Sequence, residues 1–144
     1  MLPSDPPKRV ILPPPISVNN LFANVPGRGR VTTKEYRRWK REAAATLAAS
    51  GPHHQFLAPV EITYFIGEKG IGQMDAGNVE KAATDAIVAA GIIRDDSRKW
   101  LRAVSLLWVP GMRSIVAVIT QSDGEVDRHD VMRTIPRGLW GYLL

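Results

Sequence analysis

The sequence contains no cysteine, which excludes a disulfide framework and any thiolate metal site. No run approaches the roughly 18 consecutive apolar residues of a membrane span. The opening MLPSDPPKRV lacks the apolar core of a signal peptide, so a cytoplasmic protein is expected. There is no internal repeat and no low-complexity block. Acids are the scarcer charge: 14 Asp and Glu stand against 19 Lys and Arg, a formal net charge of +5. That balance favours an anionic partner, nucleic acid first and an anionic membrane surface second. What is present is ordinary for one domain with a single core: 144 residues, 44% hydrophobic and 23% charged.

The basic residues are not spread evenly. Arg28, Arg30, Lys34, Arg37, Arg38, Lys40 and Arg41 put seven basic side chains into fourteen residues. The segment Ser17 to Arg30, with Asn19-Asn20, Pro26-Gly27 and Gly29, reads as a long loop. A helix then opens at Thr32-Thr33-Lys34-Glu35, where Thr32 and Glu35 have capping-box spacing, and runs to about Ala49 before Ser50-Gly51-Pro52. Tyr36, Trp39, Ala43 and Leu47 fall on one stripe of it, and the basic residues lie mostly off that stripe. A merely solvated face would show more interspersed acids than Glu35, so a phosphate-binding surface is the favoured reading.

Strands are expected at Arg9–Leu12, closed by three prolines, at Val60–Ile66, at Leu101–Val109 and at Ser114–Thr120. The last two, joined by Pro110-Gly111-Met112, read as a hairpin. A second helix is expected from about Asn78 to Ala90, ending at Gly91 as a left-handed cap. Its apolar face is Val79, Ala82, Ala83, Ala86, Ile87 and Ala90.

The opposite side of that helix is the most informative part of the chain. Asn78, Lys81 and Asp85 share a face, Asp75 precedes the helix, and Asp95-Asp96 follow it. Each has a bland explanation. Asp75 can cap the helix through the N–H of Gly77 or Asn78, Lys81 and Asp85 can form a surface ion pair, and Asp95-Asp96 can be a polar turn. Gathered at one place, carboxylates repel and resist desolvation. A divalent cation with oxygen ligands removes that cost. Asp75, Asp85, Asp95 and Asp96 are therefore the candidate metal ligands. His53, His54 and His129 are too scattered to suggest a zinc site.

The pattern Asp-x-x-Asn-x-x-Lys-x-x-x-Asp over Asp75–Asp85, then Gly91-x-x-x-Asp95-Asp96, resembles the signature of RusA-type Holliday junction resolvases, often encoded by prophages. Pro14-Pro15-Ile16-Ser17-Val18-Asn19-Asn20 also resembles the start of those proteins, and the likeness runs from about Ile11 to Thr120. It implies an α/β (α+β) fold with a small mixed sheet and two main helices. It divides the chain into a nuclease domain over residues 1–120 and a C-terminal extension, 121–144, that docks on the core or meets a second subunit. It also implies a Mg²⁺-dependent homodimer (Mn²⁺ substituting) that cuts four-way DNA junctions symmetrically. By position, Asp75, Lys81 and Asp96 match the catalytic set, with Asp85 and Asp95 as further acids and Asn78 orienting Asp75. Phe22 is a candidate wedge at an opened junction centre, or an anchor of its loop. One departure stands out: where the family has Asp-x-Asp-Asn, this chain has Asp75-Ala76-Gly77-Asn78, losing one ligand. A branched-DNA binder without turnover is the alternative that Gly77 raises.

Overall fold

A computed structural model describes residues 5–16, 22–69 and 74–122. In chain order the elements are β1 (Lys8–Leu12), β2 (Phe22–Val25), β3 (Gly29–Thr32), α1 (Lys34–Ala49), β4 (Val60–Gly67), α2 (Ala76–Ala89), β5 (Leu101–Val109) and β6 (Ile115–Gln121). Four strands form one mixed sheet in the order β1-β6-β4-β5, and β2 pairs with β3 in a separate hairpin. This is a single-domain α+β fold. The C-terminal extension from residue 123 onward and the pair Asn19-Asn20 lie outside the described residues.

The sheet is built around β4. Val60, Ile62, Tyr64 and Ile66 alternate inward and are at most 1% exposed, as the period-two pattern requires. β5 runs parallel to β4 after the α2 crossover, and β6 returns antiparallel on the other side. Ile115, Ala117 and Ile119 of β6 complete that inner row, with Val10 and Leu12 of β1 beyond them. α1 adds Tyr36, Trp39, Ala43 and Leu47, the stripe expected from the sequence, and α2 adds Val79, Ala82, Ala83 and Ile87.

Three expectations require correction. β5 and β6 are not a hairpin, because β4 lies between them. A crossover helix puts β5 parallel to β4 on one edge, so the next strand fills the remaining edge. The connection from β5 to β6 passes over the end of β4. There Gly67 N donates to Ser114 O at 3.0 Å and Lys69 N donates to Met112 O at 3.0 Å. Gly67 is required at this crossing: a Cβ on it would lie 2.3 Å from Met112 O.

The second correction is in the segment read as a loop up to Arg30. Its described part is the β2–β3 hairpin, turning through Gly27 and Gly29 with φ of 75° and 71°. Those glycines mark the turn of a hairpin rather than an unstructured stretch. The third is small. The cap of α1 is Thr33, whose side chain accepts from Tyr36 N, not Thr32. Thr32 is still committed to β3, paired with Phe22.

Candidate active site

α2 places the acidic residues, and its ends are fixed by short-range chemistry. Asp75 is the N-cap: its Oδ1 accepts from Gly77 N at 2.8 Å. This is the capping role open to it in the sequence, and one carboxylate oxygen is used in it. At the other end, Gly91 adopts φ 74°, Gly91 N donates to Val88 O and Ile92 N donates to Ile87 O. That pair of bonds is a Schellman cap, and it drives Ile92 into the core at 0% exposure. The chain then turns back along α2 as the loop that carries Asp95 and Asp96.

Asp95 and Asp96 have separated roles. Asp95 Oδ1 accepts from Ser97 N at 2.7 Å. Hydrogen bonding to the Ser97 side chain and backbone, aided by Lys99, holds its carboxyl below the usual range. Asp95 therefore organises the turn. Asp96 borders two grooves instead. The first, an open groove of about 550 Å³, is lined by Gly77, Glu80, Asp96 and Arg102 with strand β5 as its floor. The second, of about 330 Å³, brings Asp96 to Asp85 and Lys40 between the two helices.

Lys81 and Asp85 form an ion pair, Nζ to Oδ2 at 3.4 Å, with the Tyr36 hydroxyl donating to the same oxygen at a long 3.5 Å. Burial and the charge of Asp85 push the Tyr36 phenol up to about 12. Asp85 is thus committed to fixing Lys81. Asn78 is half-buried on the first turn of α2.

Two participants were not singled out from the sequence. Glu80 lines the first groove, and its Oε1 accepts from Thr84 Oγ1 at 2.6 Å. Thr84 is 2% exposed and is bonded in turn to the Tyr64 hydroxyl at 2.7 Å. Since the Thr84 proton goes to the carboxylate, Tyr64 donates to Thr84. Arg102 is the second. Val60 pairs with Leu101 but Glu61 pairs with Ala103, so Arg102 is the extra residue of a β-bulge. Bulges re-aim side chains, and this one faces the groove. The Arg102 guanidinium donates to Arg98 O at 2.9 Å, and nearby in sequence Arg94 and Lys99 sit 4.6 and 5.2 Å from the Trp100 ring centre. The signal was available as four basic residues flanking Asp95-Asp96.

The basic face of α1 is exposed as expected. Lys34, Arg37, Arg38, Lys40 and Arg41 all point outward, and Arg38 pairs with Glu42 at 3.1 Å. Arg28 and Arg30 are exposed on the β2–β3 hairpin. Phe22 is half-buried at the hairpin base. It packs edge-on against Tyr36 at 5.9 Å, and the Arg30 guanidinium lies 4.3 Å from its ring centre. These contacts tie the hairpin to α1.

Among the described residues, no group of three or more His, Asp or Glu is gathered closely enough to cage a metal ion. The acidic donors lining the first groove, Asp96 and Glu80, offer oxygen only, and Asp75 caps the helix next to it without lining it. That set fits Mg²⁺, which binds through one or two carboxylates together with water and substrate phosphate rather than in an all-protein cage.

An acidic groove at a helix start, bordered by Arg102 and placed on a small α+β scaffold, has the charge pattern that phosphodiester chemistry uses. The family model for endodeoxyribonuclease RusA matches residues 12–107, which include every one of these site residues. The chain belongs to the RusA family of endodeoxyribonucleases, the RusA-type Holliday junction resolvases, which act on branched DNA and depend on divalent metal ions. The comparison with curated proteins returns no match. No helix among the described residues is long and apolar enough to cross a membrane.

Proposed function

We propose that this protein is a Mg²⁺-dependent, structure-selective endonuclease that resolves four-way DNA junctions by paired symmetric cuts. It works as a homodimer in the cytoplasm of a bacterial or phage-infected cell. The observation that carries this reading is the position of Asp96. It borders the groove at the start of α2, beside Arg102, within the stretch that matches the family.

A phosphodiester resists attack because it is already negative, and the transition state adds charge. Asp75 and Asp96 would hold Mg²⁺, which would supply charge neutralisation and a more acidic attacking water. The chain's own groups supply the rest. Lys81, fixed by Asp85, contributes a positive charge beside the scissile phosphate. Arg102, turned inward by the bulge, binds a neighbouring phosphate oxygen. Asn78 orients Asp75. The product is a 5′-phosphate and a 3′-hydroxyl.

Arg28, Arg30, Lys34, Arg37, Arg38, Lys40 and Arg41 hold the phosphates of the junction arms, an affinity that weakens steeply with salt. A four-way junction has approximate two-fold symmetry, so two equal cuts call for two sites related by a dimer axis. Phe22 packs as an anchor for the hairpin, which keeps Arg28 and Arg30 beside α1. Gly77 supports a second reading, a branched-DNA binder without turnover.

The test is a synthetic junction labelled on each strand in turn. Symmetric nicks on opposing strands, with duplex of the same sequence left intact, support resolution. Tight binding with no nick at any Mg²⁺ or Mn²⁺ concentration supports the second reading. The mass of the free protein by light scattering separates dimer from monomer.

A further inference from the structure

Gly77 and Glu80 stand three residues apart on α2, so they share one face of the helix, and both line the groove that Asp96 borders. Gly77 is where the resolvase pattern has its second acid. We propose that Glu80 supplies the carboxylate that Gly77 lacks, and that the Tyr64–Thr84 hydroxyl pair holds it in place for a divalent cation. The inference rests on the function proposed above.

Three observations bear on it. First, Glu80 reaches the same groove from one turn further along the helix, and its longer side chain suits the added distance. Second, the carboxylate is held from below. Thr84 Oγ1 donates to Oε1 at 2.6 Å, and Tyr64, with 0% exposure, donates to Thr84 at 2.7 Å. One carboxylate oxygen is thereby oriented by buried donors while the other is left for the groove, as expected where a buried group aims a metal ligand. Third, Gly77 leaves the entrance open. A Cβ there would lie 3.2 Å from Asp75 Oδ1, so an acid at position 77 needs the Asp75 carboxylate to shift by a few tenths of an ångström. A Glu one turn later delivers a carboxylate without disturbing the cap.

The experiment is calorimetric titration of the full-length protein with Mn²⁺, read beside cleavage of the labelled junction. Glu80→Gln keeps an oxygen that Thr84 can bond but removes the charge. It should weaken Mn²⁺ binding about tenfold or more, as should the paired Tyr64→Phe/Thr84→Val change, which removes both hydroxyls and leaves no orphan. Thermal melts report whether each variant is folded. Adding Gly77→Asp to Glu80→Gln should restore part of the Mn²⁺ affinity. If the wild type binds Mn²⁺ and cuts, and folded Glu80→Gln does both equally well, Glu80 is not a ligand and the inference falls while the proposed function stands. If the wild type neither binds Mn²⁺ nor cuts, both fall.

Discussion

The two helices are built on the same plan and used for opposite purposes. Each buries an apolar stripe in the common core and each has a polar cap residue at its start. α1 turns five basic side chains outward, whereas α2 brings Glu80 and Asp85 to two grooves and carries a single lysine, Lys81. Of the basic side chains on α1, Arg38 pairs with Glu42, Arg37 reaches Thr32 and Lys40 lies over the Tyr36 ring, while Lys34 and Arg41 have no ion pair among the described residues. On α2 almost every charge is tied: Asp75 to Gly77, Glu80 to Thr84, Lys81 to Asp85. Redundant exposed charge suits a surface that follows a polyanion. Fixed charge suits chemistry at one bond, because preorganised groups need no rearrangement in the transition state.

This contrast predicts unequal responses to mutation. Asp96→Asn removes the carboxylate shared by both grooves, and cleavage should fall by about a thousandfold or more with junction affinity nearly unchanged. Single-turnover kinetics and a gel-shift titration on the same preparation measure the two quantities. The next largest effect belongs to the scaffold. Gly67→Ala drives a Cβ into the Met112 carbonyl and should destabilise the fold by about 1–3 kcal/mol, or more if the crossing cannot shift. Urea unfolding reads this directly. The folded fraction should retain its activity, which separates scaffold from site.

A single change on α1, Lys34→Ala or Arg41→Ala, should weaken junction binding only a few-fold and lower the salt slope of log affinity by about one. Binding measured across a salt series checks it. If one such change abolished cleavage at saturating protein, the division between gripping and cutting helices would fail.

The smallest effect is on pH. Burial raises both Tyr36, to about 12, and Tyr64, whose shift is partly offset by the Thr84 bond and increased by Glu80 and Asp85. In the unfolded chain these phenols ionise near their ordinary value of 10. Their contribution to stability is therefore complete below pH 10 and declines as pH rises toward 12, because the unfolded state releases protons first. Denaturation midpoints across that range should fall, and less so in Tyr36→Phe.

The sequence made the local structure legible to different degrees. The stripe of α1, the extents of α1 and β5 and the end of α2 are fixed by periodicity and by end signals such as Gly91, all of which act within a few residues, whereas α2 starts two residues earlier than its apolar pattern suggests. The separation of β5 from β6 was not legible, since the partner of a strand depends on what else fills the sheet. At the site, residue type and spacing gathered Asp75, Asp85, Asp95 and Asp96, and the family resemblance picked out Asp75, Lys81 and Asp96. The resemblance ranked Asp96 above Asp95, but the physical difference between them, Asp95 bonded to Ser97 and Asp96 facing the grooves, was not legible, because it lies in how the loop folds after α2. Glu80 and Arg102 were hidden for similar reasons. One is oriented by a tyrosine from β4, distant in sequence, and the other by a bulge.

The most direct test of the central claim, that the acids at the start of α2 cut what the basic face holds, is Mg²⁺-dependent cleavage of a labelled four-way junction by wild type and Asp75→Asn at saturating protein. The account predicts paired nicks that appear with Mg²⁺ in the wild type and vanish in Asp75→Asn while both proteins bind the junction. Folded wild type that never cuts, or Asp75→Asn that cuts at the wild-type rate, would contradict it.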